Sequence, residues 1–249
     1  MDCLKGKTAV VTGASSGIGR QTAIKLAEEG CRVVIAARRS DKLDETAAKM
    51  PQNAECLAVQ ADITNQSDVR ALFDAAVQRF GSLDILVNNA GRGLKADIAD
   101  IQLEDWQKTL DVNLTGVFLC SREALRIMKK RGINGKIITV SSMIGLLPAP
   151  GFAAYGASKH GVTGFMWSLY WEAKSSGIKT ASIYPARVDT EFFDSHGYDE
   201  RPSKGQMLSA RDIAEHVAAA ASGSFLRTAG VVLRNCIKRI KGYFSLLLS

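Results

Sequence analysis

Residues 10–23, VVTGASSGIGRQTA, place three glycines between an apolar run and a segment of helix-forming residues. In such a turn Gly13 allows a sharp change of direction after a strand, and Gly19 allows the next helix to pack close to the sheet. Gly17 lets phosphate groups approach backbone N–H groups at the positive N-terminus of that helix. A glycine turn at the first strand–helix junction of an alternating chain indicates a dinucleotide-binding α/β fold.

Short apolar and β-branched runs alternate with longer helical stretches along the rest of the chain. Continuous apolar runs of this length are typical of parallel strands that are buried on both faces of a sheet. The alternation predicts right-handed crossovers and a single-domain, doubly wound α/β Rossmann fold, with about seven parallel strands flanked by helices. The predicted strands are 8–11, 32–36, 56–60, 84–87, 136–140, 179–183 and 230–233.

One helix is marked by its amphipathic pattern. Over 69–80 the apolar residues recur at the helical period, which predicts a helix with one face in the core. Ser67 precedes this stretch and is predicted to be its N-cap. No break in composition marks a second domain, so we expect one domain over 1–235 and a short extension over 236–249.

The composition is that of an ordinary globular protein. Of 249 residues, 46% are hydrophobic and 23% are charged, which provides ample material for a core. The formal net charge of +7 suits a phosphorylated or acidic ligand. Because the basic residues form no long block except near the C-terminus, the charge does not indicate nucleic-acid binding.

The cysteines and histidines show neither disulfide nor metal-ligand spacing. The scattered cysteines favour reduced thiols and argue against a disulfide framework or a zinc site. No basic and apolar leader opens the chain, and no apolar run reaches the ~18 residues of a membrane span. We therefore expect a cytoplasmic protein without a metal site. The residues concerned are Cys3, Cys31, Cys56, Cys120 and Cys236, and His160, His196 and His216.

The stretch AAYGASKHG, 153–161, places a phenol and an ammonium one helical turn apart, at Tyr155 and Lys159. A cation about 4 Å away, at an effective dielectric of about 20, favours the phenolate by roughly 4 kcal/mol, or about three pKa units. That interaction would bring the phenol into the range of proton transfer at neutral pH. The alternative is a surface lysine beside a packed tyrosine.

Six segments, in the right order and spacing over nearly the whole chain, resemble the short-chain dehydrogenases/reductases. They are TGASSGIG at 12–19, NNAG at 88–91, DVNLTG at 111–116, TVSSMIG at 139–145, YGASK at 155–159 and PARVDT at 185–190. The last segment has Ala186 where the family pattern has glycine.

The resemblance implies a proton-transfer set of Asn113, Ser142, Tyr155 and Lys159. Tyr155 would be the general acid in carbonyl reduction and the general base in alcohol oxidation, with its pKa lowered by Lys159. Ser142 would bind the substrate oxygen; its neighbour Ser141 is the competing candidate. Asn113 would hold a water that links Lys159 to solvent through a kinked helix.

The resemblance also implies the residues that bind a dinucleotide. Asp62 would accept from the adenine amino group; a local capping role is the alternative. The small residues 156–158 would let the cofactor lie against their helix. The implied binding residues are Gly13, Ser15, Ser16, Gly17, Ile18, Gly19, Arg38, Asp62, Ile63, Asn89, Ala90, Gly91, Tyr155, Lys159, Pro185, Ala186, Val188 and Thr190.

The end of the second strand predicts a preference for NADP(H). Ala37 stands where an NAD-binding protein places the acid that bonds the ribose 2′-hydroxyl. Arg38 follows and can fork onto a 2′-phosphate, while Arg39 adds to the field and Ser15 is within reach of the same phosphate. The alternative is that both arginines are solvated residues at the start of a helix.

These features favour an NADP(H)-dependent oxidoreductase acting on a small-molecule carbonyl or alcohol; the alternative is a non-catalytic dinucleotide-sensing protein of the same fold. Residues 191–207 are expected to form a substrate lid, with exposed filler as the alternative. Phe192 and Phe193 of this segment, with Met143, Leu146 and Leu147, suggest an apolar pocket.

A homo-oligomer, either a dimer or a tetramer, is expected for this chain. The segment 236–249 interleaves basic and apolar residues before an apolar end, which suggests a peripheral membrane contact. Packing against a partner subunit and disorder are the alternatives.

Overall fold

A computed structural model describes residues 4–194 and 207–223. Within these residues, six parallel strands form the central sheet in the order β3-β2-β1-β4-β5-β6. The predicted strands between 8 and 183 are confirmed, each to within one residue at either end, whereas 230–233 and 236–249 lie outside the described residues. The strands are β1 (Thr8–Thr12), β2 (Arg32–Ala37), β3 (Cys56–Gln60), β4 (Ile85–Asn88), β5 (Lys136–Val140) and β6 (Lys179–Ile183), with a separate parallel pair β7 (Val188–Asp189) and β8 (Leu208–Ser209).

Helices connect the strands and cover both faces of the sheet. They are α1 (Gly17–Glu28), α2 (Ser40–Ala47), α3 (Gln66–Phe80), α4 (Leu103–Leu110), α5 (Gly116–Arg131), α6 (Ala153–Lys174) and α7 (Ala210–Ser222). A π-helical segment, Asp111–Thr115, joins α4 to α5, and short 3-10 turns occupy Ile98–Asp100, Met143–Gly145 and Glu191–Asp194. None of the helices in the described residues combines the length and apolar character needed to cross a bilayer.

Alternating side chains of each strand enter two separate cores. On β1, Ala9 and Val11 pack with residues of α1, α2 and α7, whereas Val10 packs with residues of α3, α5 and α6. Strands buried on both faces explain why their sequences are continuously apolar. The doubly wound Rossmann fold predicted from the alternation is thereby confirmed.

The strand order places a crevice at the centre of the sheet. The chain leaves β1 toward β2 and β3, then crosses back to pair β4 with the other side of β1. In open α/β sheets ligands bind outside the carboxyl ends of the strands at such a switch point. The loops after β1 and β4 therefore define where a site is expected.

The start of α3 corrects one local prediction. The helix begins at Gln66 and its N-cap is Asn65, whose Oδ1 accepts from the Ser67 N–H at 2.9 Å and from the Ser67 hydroxyl at 2.6 Å. Ser67 was predicted to be the cap, but it lies in the first turn and donates to the cap. Asn65 and Ser67, two cap-forming residues separated by Gln66, leave this choice open in sequence, and the backbone geometry decides it.

Candidate active site

A cleft of about 1440 Å³ opens at the carboxyl ends of the central strands. Its walls come from the glycine turn, the ends of β2 and β3, the loops after β4 and β5, the start of α6 and the segment 185–192. Every residue that the sequence assigns to catalysis or cofactor binding lines this cleft except Gly19 and Asn113. Its volume exceeds the ~300–1,000 Å³ of a typical small-molecule pocket, so it has room for a dinucleotide and a substrate together.

The glycine turn needs its glycines for close backbone approaches. Gly13 has a φ of +66°, and a Cβ there would lie 2.6 Å from the Cα of Ala90. A Cβ on Gly19 would lie 2.3 Å from the carbonyl oxygen of Gly13, so α1 packs tightly against the turn. Gly17 has a φ of +52°, and a Cβ there would lie 3.1 Å from a methyl group of Thr190. The turn therefore exposes backbone and excludes side chains.

Asn89 fixes the loop after β4 to the glycine turn. Its side-chain amide donates to the carbonyl oxygens of Thr12 and Gly13, at 3.1 and 3.2 Å. The backbone N–H groups of Asn89 and Ala90 both donate to the Thr12 hydroxyl, at 3.1 and 3.2 Å. These hydrogen bonds thus join the two loops at the switch point, and both loops line the cleft.

Tyr155, Lys159 and Ser142 meet at one wall of the cleft. Tyr155 and Lys159 are 8% and 4% exposed, and the Lys159 Nζ lies 5.6 Å from the centroid of the phenol ring. The same Nζ donates to the carbonyl oxygen of Val140 at 3.4 Å. Ser142 caps the 3-10 turn after β5, where its Oγ accepts from the Ile144 N–H at 3.2 Å. The pair is therefore buried, and the surface alternative does not describe it.

The ionisation of this pair differs from the prediction. Burial raises the pKa of Tyr155 to about 12, and the hydrogen bond with Ser142 opposes this rise. Burial also lowers the pKa of Lys159 to about 8. Lys159 was expected to lower the pKa of Tyr155, but removal of both groups from water favours their neutral forms and outweighs the attraction between the ammonium and a phenolate.

Asn113 lies behind the cleft, in the π-helical segment, and is fully buried. Its Oδ1 accepts from the Arg92 N–H at 2.7 Å, while its Nδ2 donates to the Arg92 carbonyl oxygen at 2.8 Å and to the Ser158 hydroxyl at 3.0 Å. The Ser158 hydroxyl donates in turn to the carbonyl oxygen of Tyr155. Asn113 thus connects the loop after β4 to the helix that carries Tyr155.

The small residues after Tyr155 do not line the cleft, contrary to expectation. Ser158 is fully buried against Asn113, Gly156 is buried near Ile144, and Ala157 is exposed. The closest approach to α6 is at Gly145 of the preceding 3-10 turn, where a Cβ would lie 2.8 Å from the Lys159 carbonyl oxygen; a Cβ on Gly156 would lie 3.5 Å from Ile144, an ordinary contact. Contact of the cofactor with these three residues stays a prediction.

The end of β2 presents two arginines to the cleft. Arg39 donates to the hydroxyls of Ser15 and Ser16, at 3.1 and 3.4 Å, which holds its guanidinium beside the glycine turn. The carbonyl oxygen of Arg38 accepts from the Gln60 side chain at 3.0 Å. The sequence singled out Arg38, whereas the arginine bonded to the turn is its neighbour.

Asp62 makes a local turn at the edge of the cleft. Its Oδ1 accepts from the N–H and the hydroxyl of Thr64, at 2.9 and 2.7 Å. Asp62 therefore stabilises the turn before α3 without capping the helix, whose N-cap is Asn65, and its contact with adenine stays a prediction.

Glu191 and Phe192, which directly follow Thr190, cover the cleft. The Phe192 ring lies 5.9 Å from the Tyr155 ring, centroid to centroid, and touches the backbone of Gly93. Glu191 places a carboxylate oxygen 3.1 Å from the Gly17 N–H. The expected lid, 191–207, includes both residues, but the sequence gave no signal for the contact between Glu191 and Gly17, which are 174 positions apart. Residues 195–206 of the expected lid lie outside the described residues.

This architecture is that of a Rossmann-type α/β protein with one cleft at its switch point. The chain belongs to the short-chain dehydrogenase family, whose model, described as short chain dehydrogenase, matches residues 7–201. It is therefore an oxidoreductase of that family. The resemblance noted in the six motifs is confirmed.

Individual relatives agree with this assignment. The chain is 38% identical to a 3-oxoacyl-[acyl-carrier-protein] reductase of Synechocystis sp. over 78% of this chain and 79% of that one. It is 37% identical to an uncharacterised oxidoreductase of Staphylococcus aureus over 87% and 91% of the two chains. Among solved structures, a 3-ketoacyl-(acyl-carrier-protein) reductase of Brucella melitensis complexed with NADH matches with a TM-score of 0.81 and 32% identity, covering 88% of this chain and 92% of that one.

Proposed function

We propose that this protein is an NADP(H)-dependent oxidoreductase that interconverts a carbonyl group and a primary or secondary alcohol. The observation that carries the proposal is one continuous cleft lined by both the glycine turn and the Ser142, Tyr155 and Lys159 group. A phosphate-binding turn and a buried acid in one cleft suit transfer of a hydride and a proton to the same substrate.

Tyr155, Ser142 and Lys159 have different roles in the reaction at the substrate oxygen. When bound, a nicotinamide cofactor supplies the hydride. Burial keeps the Tyr155 phenol protonated at neutral pH, so it starts as the proton donor in carbonyl reduction and accepts the proton in the reverse direction. The Ser142 hydroxyl donates a hydrogen bond to the same oxygen, where negative charge builds up. The Lys159 ammonium, beside the ring, stabilises the phenolate that remains.

Several features of this structure fit a dinucleotide phosphate. The glycine turn presents backbone that a Cβ would block, and α1 begins there. Arg39, bonded to Ser15 and Ser16, and Arg38 supply positive charge beside Ala37, where an acid would repel a 2′-phosphate. These groups support NADP(H), although the solved relative from Brucella melitensis is complexed with NADH.

A screen of ketones, aldehydes and alcohols tests the reaction, with absorbance of the reduced nicotinamide as the signal. Since two relatives are named as reductases of 3-oxoacyl or 3-ketoacyl carrier-protein substrates, 3-oxoacyl thioesters belong in the screen. Tyr155→Phe removes the transferable proton and keeps the ring, so it should abolish turnover while binding NADPH normally. Cofactor binding without turnover of any compound would favour the dinucleotide-sensing alternative.

Titration of NADPH and NADH into matched variants tests the cofactor preference. A hydrogen bond to a charged group contributes about 1.5–3 kcal/mol, so Arg38→Ala or Arg39→Ala should weaken NADPH binding roughly tenfold to a hundredfold. NADH binding should barely change, and Ala37→Asp should shift the preference toward NADH. Equal losses for both cofactors in both arginine variants would contradict recognition of a 2′-phosphate.

The proposal extends to the assembly and location of the protein. We propose a homo-oligomer, because α6 presents an outer face with two exposed tryptophans, Trp167 and Trp171. We also propose a cytoplasmic location, because the scattered spacing of the cysteines favours reduced thiols over a disulfide framework.

A further inference from the structure

The N-terminus of α1 already holds an anion from this chain. Gly17, its first residue, donates its backbone N–H to a carboxylate oxygen of Glu191 at 3.1 Å. Glu191 starts the 3-10 turn that follows β7, and its side chain is otherwise exposed to solvent. Thr190, one residue earlier, packs its methyl group over Gly17. The contact therefore joins the last wall of the cleft to the glycine turn.

The Gly17 N–H is the group that the proposed function assigns to the cofactor phosphates. Phosphate and carboxylate oxygens both accept hydrogen bonds from backbone N–H groups, and the partial positive charge of a helix N-terminus favours either one. One N–H cannot make a full hydrogen bond to both. A carboxylate that remained at this distance would also repel the two charges of a pyrophosphate.

The same short segment covers the reactive end of the cleft. Phe192 directly follows Glu191, and its ring lies against Gly93 and 5.9 Å from the Tyr155 ring. Both covering contacts belong to adjacent residues of one 3-10 turn. Displacement of Glu191 from Gly17 therefore releases one of the two contacts that hold this segment over the Tyr155 phenol.

We propose that Glu191 is a built-in competitor of the cofactor, whose carboxylate occupies the pyrophosphate position until the dinucleotide displaces it. This inference rests on the proposed function, because it requires that the cleft bind a dinucleotide. The contact between Glu191 and Gly17 makes the affinity for the cofactor weaker than it would be if the glycine turn were free of this carboxylate. The effect is common to NADPH and NADH, since both carry the same pyrophosphate.

Dissociation constants for both cofactors, measured by the fluorescence of the reduced nicotinamide, test this inference. A contact between an anion and a helix N-terminus at an exposed site is worth about 0.3–1 kcal/mol, so Glu191→Gln should tighten binding of both cofactors roughly two- to fivefold. Glu191→Asp keeps the charge but is one methylene shorter, and it should follow the glutamine variant. Glu55→Gln is the matched control, because Glu55 is exposed before β3 and does not line the cleft.

Salt separates direct contact from long-range repulsion. At 1 M salt the Debye length falls to about 3 Å, which screens distant charges far more than atoms in contact. The ratio of wild-type to Glu191→Gln affinities should therefore persist at high salt. An unchanged affinity in Glu191→Gln, or a gain that vanishes with salt and is absent in Glu191→Asp, would overturn the inference while leaving the proposed function intact. No binding of either cofactor by wild type or variants would overturn both.

Discussion

At the residue scale, Lys159 shows that a reactive group opposes the stability of its own fold. The Tyr155 and Lys159 side chains are almost fully buried, and burial favours their neutral forms: it raises the pKa of Tyr155 and lowers that of Lys159. A core of apolar residues would bear no such cost. At neutral pH the buried Lys159 ammonium is unfavourable for folding and useful beside the phenol, as perturbed groups at functional sites often are.

Lys159→Met should stabilise the fold while it damages turnover. The pKa of Lys159 falls from 10.5 to about 8 on burial, which corresponds to a cost of about 3 kcal/mol at most. Below pH 8 both states carry the charged ammonium, and the folded state bears the full cost. Between pH 8 and 10.5 the folded state is neutral and the unfolded state still holds the proton, so the stability of the wild type rises with pH.

Urea denaturation at several pH values measures this effect. The gain in the free energy of unfolding from Lys159→Met should be largest at pH 7 and should shrink as the pH approaches 10. Lys129→Met, an exposed position on α5, is the control and should show no such trend. A Lys159→Met variant less stable than wild type at pH 7 would show that the ammonium contributes more through its bond to Val140 than its burial costs.

At the scale of elements, the π-helical segment Asp111–Thr115 positions the catalytic helix. It interrupts the path from α4 to α5 where Asn113 turns its side chain inward to Arg92 and Ser158. A π-helical turn adds one residue to the helical spiral, and such insertions occur frequently at functional sites. Here the inserted turn lets one amide bond to the loop after β4 and to α6 at once.

Asn113→Ala should therefore lower both stability and turnover. It leaves the partly buried N–H and carbonyl groups of Arg92 and the buried Ser158 hydroxyl without this partner, at a cost of about 1–3 kcal/mol. Asn65→Ala, at the N-cap of α3, should cost about 1 kcal/mol and leave turnover unchanged, since Asn65 does not line the cleft and makes no bond to Asn113 or Tyr155. Parallel measurement of the free energy of unfolding and of kcat separates the two. Unchanged kcat in Asn113→Ala would remove it from the positioning of Tyr155.

At the scale of the whole molecule, the sequence predicts what depends on local pattern. The apolar runs identify the six strands of the central sheet but not the short pair β7 and β8, and the six motifs contribute residues to one cleft. The sequence does not reveal which way a small residue points, so Ser158 was placed toward the cofactor and faces Asn113 instead. The sequence also does not reveal burial, which raises the pKa of Tyr155 where a lower pKa was expected. Nor does it reveal contacts between residues far apart in the chain, such as that of Glu191 with Gly17.

The outer surface carries a feature that a single chain does not explain. Trp167 and Trp171, 63% and 64% exposed, lie one turn apart on α6, and Tyr170 packs against both rings. Exposed aromatic side chains of this size, grouped on one helix face, are typical of protein interfaces. Because tryptophan is enriched among the residues that dominate binding energy, this face is where a second copy of the chain is expected.

Replacement of Trp167 and Trp171 together by glutamate should dissociate the oligomer. Each residue of this kind typically costs about 2 kcal/mol or more when removed, or roughly thirtyfold in affinity. The molar mass from light scattering during size-exclusion chromatography should fall from that of an assembly to a smaller species. The control adds the same charge to α3 by Ala71→Glu and Gln78→Glu, two exposed positions, and should keep the wild-type mass. A monomeric wild type would contradict the homo-oligomer, and an unchanged mass in the tryptophan variant would place the interface elsewhere.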